Sequence, residues 1–177
     1  LDSDTNLVLN TAPKLIGAMN HILNKPIIKN KKVISGYGIM QPRVGLEMEH
    51  YKKTKFIELY SIPGGIDFYS NAISDVYQDN FGEGIFTGKG IYDVDVYNEI
   101  LEKEIPENTV LSHDLLEGNF LRCGLVSDVV LLDGYPKKYI PYILRNHRWT
   151  RGDWQIIRWI KSNRLNVERY EIGNYSK

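Results

Sequence analysis

The sequence predicts an α/β domain with a small mixed sheet and several helices. Helical segments alternate with only a few strand segments, as layered α/β domains require. The 177 residues are about one domain's worth. With 42% hydrophobic and 25% charged residues, the composition is globular. No internal repeat, low-complexity tract or linker divides the chain, which reads as one domain from residue 1 to 177.

In chain order, Asn10-Thr11-Ala12-Pro13 predicts a capped helix start with an early proline, running to about Leu23. Val33 to Met40 alternates as a strand, and Gln41-Pro42-Arg43 is expected to end it. Lys55 to Tyr60 and Ile66 to Asp79 read as helices separated by Pro63-Gly64-Gly65. Glycines at 82, 84, 88 and 90 predict a loop around a short strand from Phe81 to Gly90. Asp93 is placed to cap a helix to about Leu101, and Pro106-Glu107-Asn108 forms a turn. Ser112 is placed to cap another helix, carrying Asp114, Leu115, Glu117 and Phe120. Val126 to Leu132 predicts a buried strand, and Pro136 to about Ser162 a long helix with Pro141 near its first turn.

Charge and cysteine content exclude several classes. Lys+Arg and Asp+Glu both number 22, which gives no electrostatic footprint for nucleic acid. The single cysteine, Cys123, excludes an internal disulfide framework and a multi-cysteine zinc site. No apolar run reaches the roughly 18 to 20 residues of a membrane span, and the acidic opening lacks the basic start of a signal peptide. The neutral total hides an acidic stretch from Asp67 to Glu117 and a basic one from Lys137 to Arg164. Either is commonly a solvated face. Together they could instead hold a cation and meet a phosphate-bearing ligand or a lipid surface.

Three strings could carry chemistry. Asp2-Ser3-Asp4 presents two carboxylates one residue apart, hard oxygen ligands suited to Mg²⁺ or Mn²⁺, although paired aspartates are also common in turns. The aspartate-phosphatase pattern Asp-x-Asp-x-Thr/Val is a near miss, because Asn6 stands where its Thr or Val belongs. Ser112-His113-Asp114-Leu115-Leu116-Glu117 places a carboxylate at a helix start, where it is either a partner for the helix dipole or a general base. His147 to Gln155 carries Arg148 and Arg151 at i, i+3, a spacing that lets two guanidinium forks meet a diphosphate. Trp149, Trp154 and Trp159 with Ile156, Ile157 and Ile160 form an amphipathic helix that either packs on the core or lies at a membrane interface.

The order of these strings resembles the processive, inverting glycosyltransferases of the cellulose-synthase-like type. Asp2-Ser3-Asp4, Gln41-Pro42-Arg43, Phe86-Thr87-Gly88-Lys89-Gly90, His113-Asp114 and Arg148-Trp149 follow that family's motif order. Two departures are His113, where an acid usually precedes the base, and Arg145, where the last motif has glutamine. Ser74 to Asp79, Phe81 to Gly84, Gly88 to Asp95, Leu111 to Gly118 and His147 to Gln155 look like the glycosyltransferase part of bacterial cyclic β-1,2-glucan synthases.

That resemblance implies a partial GT-A-type, Rossmann-like fold that begins at the metal motif and comprises the acceptor-side portion. It implies transfer of glucose from UDP-glucose to a growing β-1,2-glucan, with Mg²⁺ or Mn²⁺ held by Asp2 and Asp4. Asp114 would be the catalytic base. Arg148, Arg151, Gly88 and Lys89 would bind the donor, and Trp149, His113 and Glu117 the acceptor. It further implies one part of a large membrane protein, at the cytoplasmic face of the bacterial inner membrane, with the chain by itself inactive. The competing expectation is a non-catalytic glucan-binding or membrane-docking module that retains the transferase outline.

Overall fold

The structure, a computed structural model, describes residues 5–47, 54–60, 72–102, 105 and 109–161. Its centre is a mixed sheet of four strands: β1 (Thr5–Leu7), β4 (Ile39–Leu46), β5 (Ile91–Tyr92) and β6 (Cys123–Asp133), in the order β1-β6-β4-β5. The inner pair β4 and β6 is parallel, and β1 and β5 each join an edge antiparallel. A separate hairpin joins β2 (Ile27–Lys29) to β3 (Lys32–Ser35). Asn30 and Lys31 both take positive φ at its turn, the twist that two-residue hairpin loops favour.

The expected strand from Val33 to Met40 is thus split between β3 and β4, and Pro42 does not end it. β4 runs on to Leu46 because Pro42 sits at a break in the ladder. Pairing jumps there from Pro42 with Val126 to Arg43 with Val130, so that Ser127, Asp128 and Val129 of β6 bulge out. On the other side β5 pairs with Ile39 and Met40 alone, so the missing N–H of Pro42 is not needed there.

Helix α1 (Thr11–Asn20) is shorter than expected, with a single 3₁₀ turn following at Ile22–Asn24. Asn10 does not cap it: its side chain makes no such bond and its backbone is left-handed. α1 buries Leu15 and Met19 and packs against β4 and β6. Helices α2 (Lys55–Tyr60) and α3 (Ala72–Phe81) fall where helices were expected, while residues 66–71 lie outside the described set. No strand forms between Phe81 and Gly90. Gly84 makes one isolated bridge to Cys123, and the short strand β5 follows the loop.

Asp93 caps helix α4 (Val94–Leu101) as expected, accepting from the Val96 N–H at 3.3 Å. Ser112 does not cap the next helix, α5 (Asp114–Leu121). His113 occupies the cap position without a side-chain bond, and the Ser112 hydroxyl turns to the Asp114 carboxylate. The turn at Pro106-Glu107-Asn108 lies outside the described residues. Helix α6 (Tyr139–Lys161) closes the described chain.

One apolar cluster joins these parts. Val33 and Ile39 meet Phe86, Val96, Ile100, Leu101, Val110, Leu116, Phe120, Leu121 and Cys123, and α6 adds Ile156. Burial pushes the Cys123 thiol up to about 12, so it behaves as a small apolar side chain.

Candidate active site

The glycine-rich loop is held at each of five successive residues. Phe86 is buried, its ring edge-on to Tyr92 at 5.6 Å. A Cβ on Gly118 would lie 2.8 Å from that of Phe86, so only glycine lets α5 sit this close. Gln41, also buried, accepts from the Thr87 N–H at 2.6 Å and from its hydroxyl at 3.3 Å. Gly88 has φ of +97°, and a Cβ there would lie 3.2 Å from Asp114 Oδ2. Lys89 is left-handed as well, at φ of 66°, and its ammonium pairs with Asp133. Gly90 packs on the Met40 carbonyl, 2.5 Å from where its Cβ would be.

Beneath this loop lies the start of α5. Asp114 is its first residue, where the helix dipole favours an ionised carboxylate. Its Oδ2 accepts from the Ser112 hydroxyl at 3.3 Å. One turn on, Glu117 is buried and accepts from the Tyr92 hydroxyl at 2.7 Å. Burial raises the Glu117 carboxyl above its ordinary range. The Asp114 charge adds to that rise, while the Tyr92 hydrogen bond and His113 oppose it. Tyr92 is itself pushed up, first by burial and then by Glu117. His113 Nε2 lies 3.0 Å from the Val110 carbonyl, which can only accept, so that nitrogen carries the proton. Its Nδ1 faces Glu117 at 4.0 Å and becomes a donor only in the imidazolium.

Helix α6 is docked on the segment before α5. Gly152 lies against Ser112, and Gln155 Oε1 accepts from the Leu111 N–H at 2.9 Å. Partial desolvation against the neighbouring segment, and then the charge of Asp114, raise the Asp153 carboxyl although the residue is exposed. Arg148 and Arg151 are exposed on this helix, and Trp149 is 42% exposed. Arg145 lies over Trp149 at 4.8 Å and over Tyr135 at 5.4 Å, so at the glutamine position of the motif a guanidinium packs on the tryptophan.

Of the predicted site residues, Gly88, Lys89, His113, Asp114 and Glu117 thus come together, with Trp149, Arg148 and Arg151 within about a turn of the point where α6 meets Ser112. Asp2 and Asp4 lie outside the described residues. Sequence reasoning gave no role to Gln41, Tyr92, Asp133 or Gln155. Gln41, Tyr92 and Gln155 lie within the strings that carry the resemblance, whereas Asp133 lies in none of them and its one signal is that it closes the apolar run Val129-Val130-Leu131-Leu132.

The tryptophan helix does not fill the core. Between Tyr139 and Ile157 only Gly152 and Ile156 are buried, while Trp154 is 69% exposed; the side chain of Trp159 lies outside the described set. Among the described residues, no helix is long and apolar enough to cross a membrane. Nor does any group of three or more His, Cys, Asp or Glu there suit a metal ion. A cavity of about 310 Å³ between Tyr37, Gln78, Gly124 and Asp128 is lined by none of the predicted site residues.

No protein-family model matches the chain. Over 163 residues, 90% of its length, it is 45% identical to the cyclic β-(1,2)-glucan synthase NdvB of Rhizobium meliloti (strain 1021). The chain spans 6% of that protein, and so is similar to one region of a much larger synthase.

Proposed function

We propose that this chain is the acceptor-side part of an inverting glucosyltransferase domain that extends a β-1,2-glucan within a larger synthase. The likeness to NdvB supports glucan biosynthesis, and UDP-glucose as donor is part of the proposal. The observation that carries the reading is the seat of Asp114: a half-buried carboxylate at a helix start, with the backbone of Gly88 laid against it. Such a group can take a proton from a hydroxyl brought to it.

In this reading, Asp114 accepts the proton of the acceptor's 2-hydroxyl as that oxygen attacks the anomeric carbon of the donor glucose. The bond from that carbon to the diphosphate oxygen breaks on the opposite side, so the configuration inverts and UDP leaves. Arg148 and Arg151 offset the charge of the departing diphosphate. Trp149, steadied by Arg145, forms a floor for the acceptor sugar, with His113 and Glu117 bordering the same end. Asp2 and Asp4 would supply the oxygen ligands that Mg²⁺ or Mn²⁺ prefers. Bound there, the ion would stabilise the diphosphate. The exposed apolar residues of α6, Ile140, Leu144 and Trp154, are assigned to contact with the remainder of a membrane protein at the cytoplasmic face of the inner membrane.

The test is glucose incorporation from labelled UDP-glucose by the intact synthase carrying Asp114→Asn. Transfer is expected to fall by about 10² to 10⁴. Near-normal turnover overturns the assignment.

A further inference from the structure

Asp133 belongs to none of the strings that resemble known transferase motifs, yet three chain segments converge on it. It ends β6 and is 2% exposed. Its Oδ1 accepts from the Thr5 hydroxyl at 2.7 Å, on the strand directly after Asp2-Ser3-Asp4. Its Oδ2 pairs with the Lys89 ammonium. Its backbone is fixed on both sides: it pairs with Thr5 of β1 and Leu46 of β4, and its carbonyl accepts from the Glu47 N–H at 3.1 Å. A carboxylate held this way is a rigid anchor.

What it anchors is strained. Gly88 and Lys89 have successive positive φ angles, +97° and 66°. Glycine takes such a conformation freely, but a lysine does so at a cost that the surroundings must offset. The ion pair is a direct means of holding Lys89 there. Because Gly88 is the preceding residue and lies against the Asp114 carboxylate, the position of Lys89 sets that contact.

We infer that Asp133 is a positioning residue for the transfer reaction: through Lys89 it holds the Gly88 backbone against Asp114 and ties the loop to the strand that follows Asp2-Ser3-Asp4. The inference rests on Asp114 being the base. Misplacing a reacting group by about 1 Å can cost on the order of 10² in rate, and that is the scale of the expected effect.

The experiment compares Asp133→Asn, Lys89→Met, Lys89→Gly, Asp133→Glu and the Asp133→Asn/Lys89→Met double variant in the intact synthase, with Asp114→Asn as reference. The reading is kcat and KM for UDP-glucose. Expected are falls in kcat of about 10- to 100-fold in Asp133→Asn and Lys89→Met, with KM within about threefold. The double variant should be no worse than the poorer single one, as for two groups acting through one contact. Asp133→Glu should recover part of the loss. Lys89→Gly relieves the left-handed backbone but removes the pair, and should fall with Lys89→Met. Should Asp133→Asn fail to fold, the two Lys89 variants decide the matter.

A normal kcat in Lys89→Met, additive losses, or a tenfold rise in KM at unchanged kcat overturns the inference, the last by making Lys89 a direct donor ligand. If Asp114→Asn abolishes transfer while the Asp133 and Lys89 variants keep it, only the positioning role fails. If Asp114→Asn keeps transfer, the proposed function itself fails.

Discussion

Residues 86–90 and helix α6 both carry predicted site residues, and the fold treats them differently. In the loop every residue has a partner that fixes it: Gly118 against Phe86, Gln41 on Thr87, Asp114 beside Gly88, Asp133 on Lys89, and the Met40 carbonyl under Gly90. On α6, Gly152 and Ile156 are buried, while Arg148, Arg151 and Trp154 face outward. The loop's geometry is therefore set by contacts within the chain, which is the arrangement that the proposed acid–base role requires. Arg145 is taken up by Trp149 and Tyr135. Arg148, Arg151 and Trp154 are exposed, and under the proposed function they are the groups of α6 open to a ligand or a neighbouring part of a larger protein. Acid–base work needs a fixed carboxylate, whereas an arginine that meets a diphosphate gains from reach.

The contrast is broken most strongly at its buried end. Phe86→Ala should destabilise the chain by about 3 to 5 kcal/mol, the usual cost of emptying a filled aromatic site. Urea unfolding showing a loss under about 1 kcal/mol would mean that the loop is not built on this ring. Gln41→Leu leaves the Thr87 N–H without its acceptor and should cost about 1 to 3 kcal/mol, with faster amide exchange at Thr87. Unchanged exchange there would show that Gln41 does not hold the loop.

Glu117→Gln sharpens the comparison through pH. The folded Glu117 carboxyl lies above its ordinary 4.5. Its ionisation therefore costs stability as pH rises from about 4.5 through the raised value. The glutamine variant lacks that loss and keeps an acceptor for Tyr92. Its stability relative to the parent chain should thus be greater at pH 7 than at pH 4. Denaturant midpoints showing the reverse would contradict the burial of this charge. The smallest effect is expected at Trp154→Ser, within about 0.5 kcal/mol, because the ring is mostly in solvent. A loss of 2 kcal/mol or more would show that α6 depends on that ring for its own fold.

What was legible in the sequence was local. The Asp93 cap bonds a residue three places on, and the loop's glycines announce backbone that must turn or pack closely. The mixed sheet with several helices likewise follows from alternating segments. What escaped was set by partners far along the chain. Pro42 stays inside β4 because β6 bulges opposite it. Ser112 gives up capping because its hydroxyl turns to Asp114. Gln41 meets Thr87 46 residues away, Gln155 meets Leu111 across 44, and Asp133 meets Thr5 across 128. No periodicity records such pairs, because each is a side chain answering a backbone or hydroxyl that only the fold brings near. Asp114 itself was legible by position, but its contact with Gly88 was not.

The most direct test of a preset carboxylate separates binding from chemistry in one variant. Calorimetry of UDP-glucose with the intact synthase, with and without Asp114→Asn, should give dissociation constants within about threefold. Glucan synthesis by the same preparation should be at least about 10² slower. Binding lost in proportion to turnover would instead make Asp114 a donor ligand, and would contradict its assignment as the base.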